Sequence, residues 1–236
     1  MEFNLKTFSV MSVMVLCSVG VVIADHVKPI EGRIPTEWLG PQPLDPTKAG
    51  IGRKIADIKL GRVFGGDVSL HEIQGDRGTV VAVRDPDCPV SKAYGPRLAK
   101  MAIEYESKGF NFVVLYLNEL LGRSALGSDA GSFAGPAVFI AKGGFTLAEM
   151  LGVESTGDVF ILDAQHRIQF RGAVDDQYGL GYTKPIVTRH LLRNALDAMV
   201  SGQSVPVAAT TAPGCYIDAD PGKDQQLERW TNDRSA

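Results

Sequence analysis

The sequence of 236 residues predicts an α/β protein in which a central mixed β-sheet is flanked by helices on both faces. Three observations lead to this prediction. A helix-like segment separates two compact apolar runs, a pair of strand-like runs joined by a short turn follows later, and an amphipathic segment comes after them. Because a strand–helix–strand crossover is right-handed, we expect the first two strands to be parallel.

The first strand–helix–strand unit begins after residues 55–75, which alternate like short strands punctuated by glycines. TVVAVR (79–84) and FNFVVLYL (110–117) are apolar runs with the length of buried strands. The segment between them, 90–108, has apolar residues at helical spacing and ends in a Lys-Gly stop. This pattern predicts a helix that packs on the sheet and connects the two strands.

The second half of the chain supplies the remaining elements. We expect a Gly- and Ser-rich loop (119–136), a short helix (145–153), a strand (158–163), its antiparallel partner across a turn (167–174) and a last helix (185–201). The order β-α-β, insert, β-β-α is the arrangement of a thioredoxin fold. The predicted domain therefore spans residues 55–202.

The first residues have the pattern of a secretory signal peptide. A short polar segment with Lys6 precedes an apolar run (8–23), and small residues lead to a cleavage site after Ala24. The apolar run is shorter than the roughly 20 residues that a membrane-spanning helix needs. The sequence thus predicts a signal peptide over residues 1–24, export to the periplasm or the extracellular space, and no stable membrane association after cleavage.

Two segments flank the predicted domain. Residues 25–54 hold five prolines without periodicity, which indicates an extended leader. Residues 203–236 form a tail whose most distinctive feature is the string APGCYI around Cys215. The chain has 24 basic and 27 acidic side chains and no basic cluster, which argues against a nucleic-acid or anionic-membrane partner.

Two cysteines remain after signal cleavage, Cys88 and Cys215. Cys88 directly follows a predicted strand and directly precedes a predicted helix. The unpaired N–H groups and the positive dipole at a helix N-terminus favour a thiolate over a thiol. Pro89 suits the first helical turn, where a missing N–H costs nothing. We therefore expect Cys88 to be a reactive nucleophile, although Asp85 and Asp87 oppose the ionisation.

Three strings carry a family resemblance. Cys88-Pro89-Val90-Ser91 resembles a CxxC redox motif with serine in the second position. Together with RDPDCPVSKAYGPRLAKMAIEY, LGVESTGDVFILDAQHRIQFRGAVDDQYGLGY and APGCYI, it resembles the redoxin-like (alkyl hydroperoxide reductase/thiol-specific antioxidant, peroxiredoxin-like) branch of the thioredoxin superfamily. The resemblance covers about residues 50–217. It implies a thiol-disulfide oxidoreductase or antioxidant protein that needs no cofactor and acts on exported protein thiols, disulfides or small thiols.

The resemblance also implies roles for particular residues. Ser91 would hydrogen-bond the thiolate but cannot resolve a mixed disulfide, so Cys215 is the mature candidate for that step. A structural bridge from Cys215 to Cys88 is an equal alternative. Thr156 and Gly157 stand where such folds place a proline that faces the active cysteine, and with Pro89 they are the predicted substrate-docking residues.

Other activities stay open or find little support. Peroxidases of the superfamily resemble one another in a threonine and a proline that are here Asp85 and Val81, which argues against peroxide reduction. The alternative to an enzyme is a non-enzymatic redoxin-like domain that docks on another exported protein or handles copper through Cys88 and Cys215, like Sco-type chaperones, because soft Cu(I) prefers thiolates. The four histidines are scattered, and we assign no metal site. We expect the Asp175-Asp176 pair to be solvated or to cap a turn.

Overall fold

The protein is described by a computed structural model over residues 40–117, 121–179 and 181–217. In chain order the strands are β1 (Lys59–Arg62), β2 (Asp67–Ser69), β3 (Gly78–Arg84), β4 (Phe110–Tyr116), β5 (Val138–Lys142), β6 (Val159–Asp163), β7 (Ile168–Gly172), β8 (Tyr178–Gly179) and β9 (Tyr182–Thr183). The helices are α1 (Pro89–Glu106), α2 (Arg123–Ser132), α3 (Gly144–Leu151) and α4 (Leu191–Val200).

The first seven strands form one mixed sheet in the order β2-β1-β5-β4-β3-β6-β7. β3 and β4 are parallel, as are β4 and β5, whereas β6 runs antiparallel to both β3 and β7. The predicted parallel crossover and the predicted hairpin of the second half are therefore both present. The arrangement confirms the predicted fold class, a thioredoxin-like mixed sheet.

Strand β3 lies at the centre of the core, and all seven of its residues are buried. Because successive strand side chains point to opposite faces, Val80 and Ala82 pack with the apolar residues of α1 and α4, while Val81 and Val83 pack with those of α3. Two apolar cores thus sandwich the sheet. The segment that follows β3 and carries Cys88 therefore continues from a fully buried strand.

The inserted segment differs from the prediction. Residues 119–136, expected to be a loop, contain helix α2, and the strand β5 that follows was not predicted. α2 is rich in Gly, Ser and Ala and has little amphipathic pattern, so only its tertiary contacts reveal it: Leu126 and Ala130, four residues apart, are buried. The last helix also begins later than predicted, at Leu191 instead of residue 185.

The tail is attached to the sheet along the residues that the structure describes. Thr210 is fully buried, and its N–H donates to the Arg171 carbonyl of β7 at 3.0 Å. On its other side Thr210 pairs with Pro43 in an isolated bridge. The Gly52 N–H likewise donates to the Ile168 carbonyl at 2.7 Å. Both flanking segments therefore pack on the domain where they are described.

The predicted signal peptide and its cleavage site lie outside the described residues, as do residues 25–39 of the predicted leader and residues 218–236 of the tail. Export stays a prediction for this reason. Within the described ranges, none of the helices combines the length and the apolar character that crossing a membrane would require.

Candidate functional site

Cys88 is the N-cap residue of α1 and has extended backbone angles, φ −80° and ψ 117°. A tight turn carries the chain to this position from the end of β3, and the Cys88 N–H donates to the Asp85 carbonyl at 3.3 Å. Pro89 occupies the start of the helix, where it gives up no hydrogen bond. Cys88 is only 1% exposed, so other residues of the site must shield its thiol from solvent.

Three neighbours of the Cys88 sulfur favour its ionised form. Burial alone raises the pKa of Cys88, but hydrogen bonding from the Thr156 hydroxyl, the Ser91 N–H and Cys215 outweighs burial and brings the pKa below the ordinary value. These donors therefore act mainly on the thiolate, which gains most from them.

Cys215 covers the site from the tail. Its N–H donates to the Thr156 hydroxyl at 2.9 Å, and its carbonyl accepts from the Thr156 N–H at 2.9 Å. Both cysteines are free thiols. The hydrogen bond to Cys88, followed by burial and by the negative charge of the Cys88 thiolate, raises the pKa of Cys215. Cys88 is thus the more acidic thiol of the pair.

Two glycines allow the tail to come this close. A Cβ on Gly157 would lie 1.8 Å from the Pro213 carbonyl oxygen, and a Cβ on Gly214 would lie 2.6 Å from the Gly157 nitrogen. Either position therefore excludes any other residue while the backbones stay in contact. Gly157, predicted as a docking residue, lies against Pro213 and Gly214 of the tail.

Ser91 acts on the site mainly through its backbone. Its N–H faces the Cys88 sulfur, whereas its hydroxyl accepts a hydrogen bond from the Asp85 N–H at 3.1 Å and so closes the turn before the helix. Its carbonyl accepts from the Arg84 guanidinium at 2.8 Å. The structure thus brings Cys88, Ser91, Thr156 and Cys215 together in one place.

Sequence reasoning missed a buried ion pair behind the first turn of α1. Arg84 donates two hydrogen bonds to Asp129 of α2, at 2.9 and 2.7 Å, and Tyr116 donates a third to the same carboxylate at 2.6 Å. Burial raises the pKa of Asp129, but these partners outweigh it and lower the pKa overall. A basic residue at the end of an apolar strand was the available signal, and its partner lay in the segment expected to be a loop.

Asp158 supports the segment that carries Thr156. Its carboxylate accepts hydrogen bonds from the N–H groups of Glu154 at 2.7 Å and Ser155 at 3.1 Å. The side chain is almost wholly buried, and burial raises the pKa of Asp158 to about 6 despite these bonds and the nearby Arg171. The geometry of the Thr156 segment therefore depends on a buried carboxyl group with a pKa of about 6.

The Asp175-Asp176 pair is buried instead of solvated, which corrects part of the prediction. Asp176 accepts from the N–H groups of Thr188 and Arg189, both at 2.9 Å, and pairs with Lys184 at 2.7 Å. These partners overcome the effect of burial and lower the pKa of Asp176. Capping of backbone N–H groups, the other half of the prediction, is present.

Of the histidines that the structure describes, His71 and His166 contact each other instead of the thiols. His166 is buried in the turn between β6 and β7 and stacks on His71 with ring centroids 4.0 Å apart. Burial, with the charge of His71, lowers the pKa of His166. Across the parts of the chain that the structure describes, no cluster of three or more histidine, cysteine or acidic side chains has the geometry to hold a metal ion.

Comparison with known proteins supports the fold. No protein-family model and no curated protein sequence matches the chain. An uncharacterized conserved protein from Geobacillus kaustophilus is 26% identical with a TM-score of 0.65, covering 72% of this chain and 93% of that one. A hypothetical protein from Sinorhizobium meliloti 1021 is 25% identical with a TM-score of 0.63, covering 78% and 100% of the two chains.

A thioredoxin-like protein from Aeropyrum pernix is also similar, at 13% identity and a TM-score of 0.45, with 62% of this chain and 89% of that chain covered. The first two structures share the architecture of the chain but bear no named activity. The mixed sheet and its strand order are those of a thioredoxin-like fold.

Proposed function

We propose that the chain is a thiol-disulfide oxidoreductase in which Cys88 is the nucleophile and Cys215 the resolving thiol. The observation that carries the proposal is the contact between two free thiols whose pKa values are shifted in opposite directions. A lowered pKa makes Cys88 the attacking sulfur, because the thiolate is the reactive species. The raised pKa keeps Cys215 protonated until it attacks the mixed disulfide on Cys88.

The cycle runs through two exchanges. The Cys88 thiolate attacks a partner disulfide, a new S–S bond forms, and the other partner sulfur leaves with the electron pair and takes up a proton. Cys215 then loses its proton and attacks the Cys88 sulfur, which releases the second partner thiol and forms a Cys88–Cys215 disulfide. The partner gains two electrons. A dithiol partner, or two molecules of a small thiol, restores the pair by the reverse exchanges.

The other site residues prepare Cys88 for the first exchange. Thr156 and the Ser91 N–H stabilise the negative charge, and the Ser91 hydroxyl holds the Asp85 turn that delivers the sulfur to the helix. Pro89 begins the helix without an N–H to satisfy. Because the electrons reside on sulfur throughout, the cycle calls for no cofactor.

The test follows the bond between the two thiols. The protein is purified without reductant and treated with a small-molecule disulfide, and the products are identified by mass spectrometry after proteolysis. We expect a Cys88–Cys215 linkage in the parent chain. In the Cys215→Ser variant we expect a persistent mixed disulfide on Cys88, and in the Cys88→Ser variant no turnover of a chromogenic disulfide. An unmodified Cys88 in the Cys215→Ser variant would refute the proposed nucleophile.

An antioxidant role would use the same pair. A peroxide would oxidise the Cys88 thiolate to a sulfenic acid, and the Cys215 thiol would condense with it, releasing water and forming the same disulfide. Trapping of a sulfenate on Cys88 of the Cys215→Ser variant at micromolar peroxide tests this role. Loss of thiols without a trapped sulfenate leaves disulfide exchange as the activity.

A second candidate function is copper handling, and the adjacency of two thiols favours it. Soft thiolates are the ligands that Cu(I) prefers, and Cys88 with Cys215 provides two of them. Titration with Cu(I) in the presence of a competing chelator would show one equivalent bound by the parent chain. Equal binding by a variant that lacks both thiols would dismiss this function.

We also propose that the protein acts outside the cytoplasm, on exported protein thiols, disulfides or small thiols. Support comes from the signal-like pattern of residues 1–24, since disulfides persist in such compartments. N-terminal sequencing of the mature protein from the native host tests the proposal. A mature chain beginning near Asp25 in the periplasm or medium is expected, and an intact N-terminus in the cytoplasm would contradict it.

A further inference from the structure

Residues 212–217, here called the tail strand, run antiparallel to residues 154–157, here called the docking loop. The Thr156 N–H donates to the Cys215 carbonyl at 2.9 Å, the Ile217 N–H donates to the Glu154 carbonyl at 3.0 Å, and Ser155 pairs with Tyr216 in an antiparallel bridge. This is the hydrogen-bond pattern of an extended peptide added to an exposed edge. The tail strand thus uses backbone groups that any extended peptide could replace.

One feature of this pairing selects for side-chain size. The residue before Cys215 is Gly214, and a Cβ there would lie 2.6 Å from the Gly157 nitrogen and 2.9 Å from the Thr156 hydroxyl oxygen. A peptide that pairs with the docking loop in this register must therefore carry glycine before its cysteine. The side chain after the cysteine meets no such limit, because Tyr216 is 85% exposed.

The tail strand is held less firmly than the segment before it. Thr210 is fully buried, its N–H donates to the Arg171 carbonyl at 3.0 Å, and its hydroxyl accepts from the Ala173 N–H at 3.2 Å. Beyond it, Cys215 is only partly buried and Tyr216 projects into solvent. Ala212, Cys215 and Ile217 of the tail strand pack against the apolar cores but stay partly exposed, and partly exposed segments open more easily than the core. The tail strand can therefore leave the docking loop while the chain around Thr210 stays in place.

We infer that the docking loop is a binding site for an extended partner peptide with a Gly-Cys sequence, and that the tail strand is an internal substitute which such a partner must displace. The inference rests on the proposed function of Cys88. It adds the class of partner and explains why the nucleophile is covered: Cys88 becomes accessible only when the tail strand moves away.

The exchange steps fit this arrangement. A partner disulfide enters as the tail strand leaves, the Cys88 thiolate attacks the partner cysteine that follows the glycine, and the sulfur bonded to that cysteine leaves as a thiolate. The tail strand then returns to the docking loop, Cys215 attacks the Cys88 sulfur, and the partner departs as a thiol. The partner peptide and the tail strand therefore pair with the docking loop one after the other.

The test compares three full-length variants that all lack the Cys215 thiol. Cys215→Ser leaves the tail strand in place, Cys215→Ser with Gly214→Val expels it without altering the docking loop, and Cys215→Ser with Tyr216→Ala is the matched control on an exposed residue. The probe is the synthetic peptide TTAPGCYI, joined through its cysteine to thionitrobenzoate. Reaction with Cys88 releases the coloured thionitrobenzoate, and its absorbance gives the rate.

We expect the Gly214→Val chain to react at least about tenfold faster than the Cys215→Ser chain, because the competent open state is no longer a minor population. The Tyr216→Ala control should match Cys215→Ser. A second probe, TTAPACYI, should lose most of the gain in the open chain, since its added methyl group meets the docking loop. Equal rates for closed and open chains, or equal rates for the two probes in the open chain, would overturn the inference.

Further measurements separate a failure of the docking site from misfolding of the variant and from an unreactive Cys88. Thermal unfolding shows whether the Gly214→Val chain is folded, and Ile217→Pro, which removes the N–H donated to Glu154, is a second way to release the tail strand. Iodoacetamide measures the reactivity of Cys88 without docking. An inert Cys88 in every chain would contradict the proposed function, whereas a reactive Cys88 without preference for the Gly-Cys probe contradicts only the docking site.

Discussion

Thr156 and Cys215 exchange two hydrogen bonds, because the N–H of each donates to the other residue, to the Cys215 carbonyl in one case and to the Thr156 hydroxyl in the other, both at 2.9 Å. The same hydroxyl stabilises the thiolate of Cys88. A single side chain therefore links the acidity of one cysteine to the placement of the other. Several properties of the protein should depend on it.

Replacing Thr156 with valine should make Cys88 less acidic. The variant keeps the shape of the side chain but loses the hydroxyl, and a hydrogen bond to a charged group contributes about 1.5–3 kcal/mol, or about one pH unit and more. We expect the midpoint of Cys88 alkylation by iodoacetamide to rise by about one pH unit and the rate at neutral pH to fall about tenfold. Thr156→Ser, which retains the hydroxyl, should stay close to the parent chain.

Asp158 should make stability fall as pH rises through about 6, the value to which burial raises its pKa from 3.8. A carboxyl whose pKa is raised in the folded state contributes its full stability below the unfolded pKa and loses it as pH rises through the folded pKa. The loss amounts to about 3 kcal/mol. Urea unfolding of Asp158→Asn across this range should lack that decline, and parallel curves for the two chains would contradict the assignment.

Removing the carboxylate of Asp129 should destabilise the protein strongly. Asp129→Ala leaves the buried Arg84 guanidinium without its counter-ion, a change that costs about 3–5 kcal/mol. Because partners lower the pKa of Asp129, its contribution is complete above the unfolded pKa and is lost as pH falls through the folded one. Chemical denaturation should show the loss at neutral pH but a smaller one in acid. The exposed Asp87→Ala is the matched control and should unfold like the parent chain.

Asp176 should prove structural. Asp176→Ala would leave Lys184, Arg189 and two backbone N–H groups without their fully buried acceptor, which we expect to lower the free energy of unfolding by about 3–5 kcal/mol. The iodoacetamide reactivity of Cys88 should be unchanged wherever the variant is folded. The exposed Asp76→Ala serves as its control, and a selective loss of Cys88 reactivity would point to a direct role in the site.

Local patterns were sufficient for much of the fold. The β-branched run before Cys88 and the apolar run of 110–117 are long and uninterrupted, so each specified a buried strand, and the helical spacing between them specified α1. Helix α2 lacked such a pattern because it is stabilised by the Asp129–Arg84 ion pair, which joins residues far apart in the chain. Neither segment alone predicts that Arg84 and Asp129 form this pair.

The candidate site divides in the same way. A cysteine between a strand and a helix marks Cys88 as a possible nucleophile, because the ends of these elements place backbone N–H groups around it whatever the rest of the chain does. The sequence also marked Thr156, Ser91 and Cys215 as residues of interest, but their mutual contacts follow from how the tail packs against the sheet.

The sequence by itself determined the class of fold and the position of the thiol at a helix N-terminus, because periodicity and capping are properties of neighbouring residues. Only the tertiary structure decided that Cys215 meets Cys88, that Gly157 and Gly214 admit the tail strand, and that Asp158 lies buried beneath the docking loop. Those relationships depend on burial and on contacts between distant segments, and such contacts form only when the whole chain folds around one core.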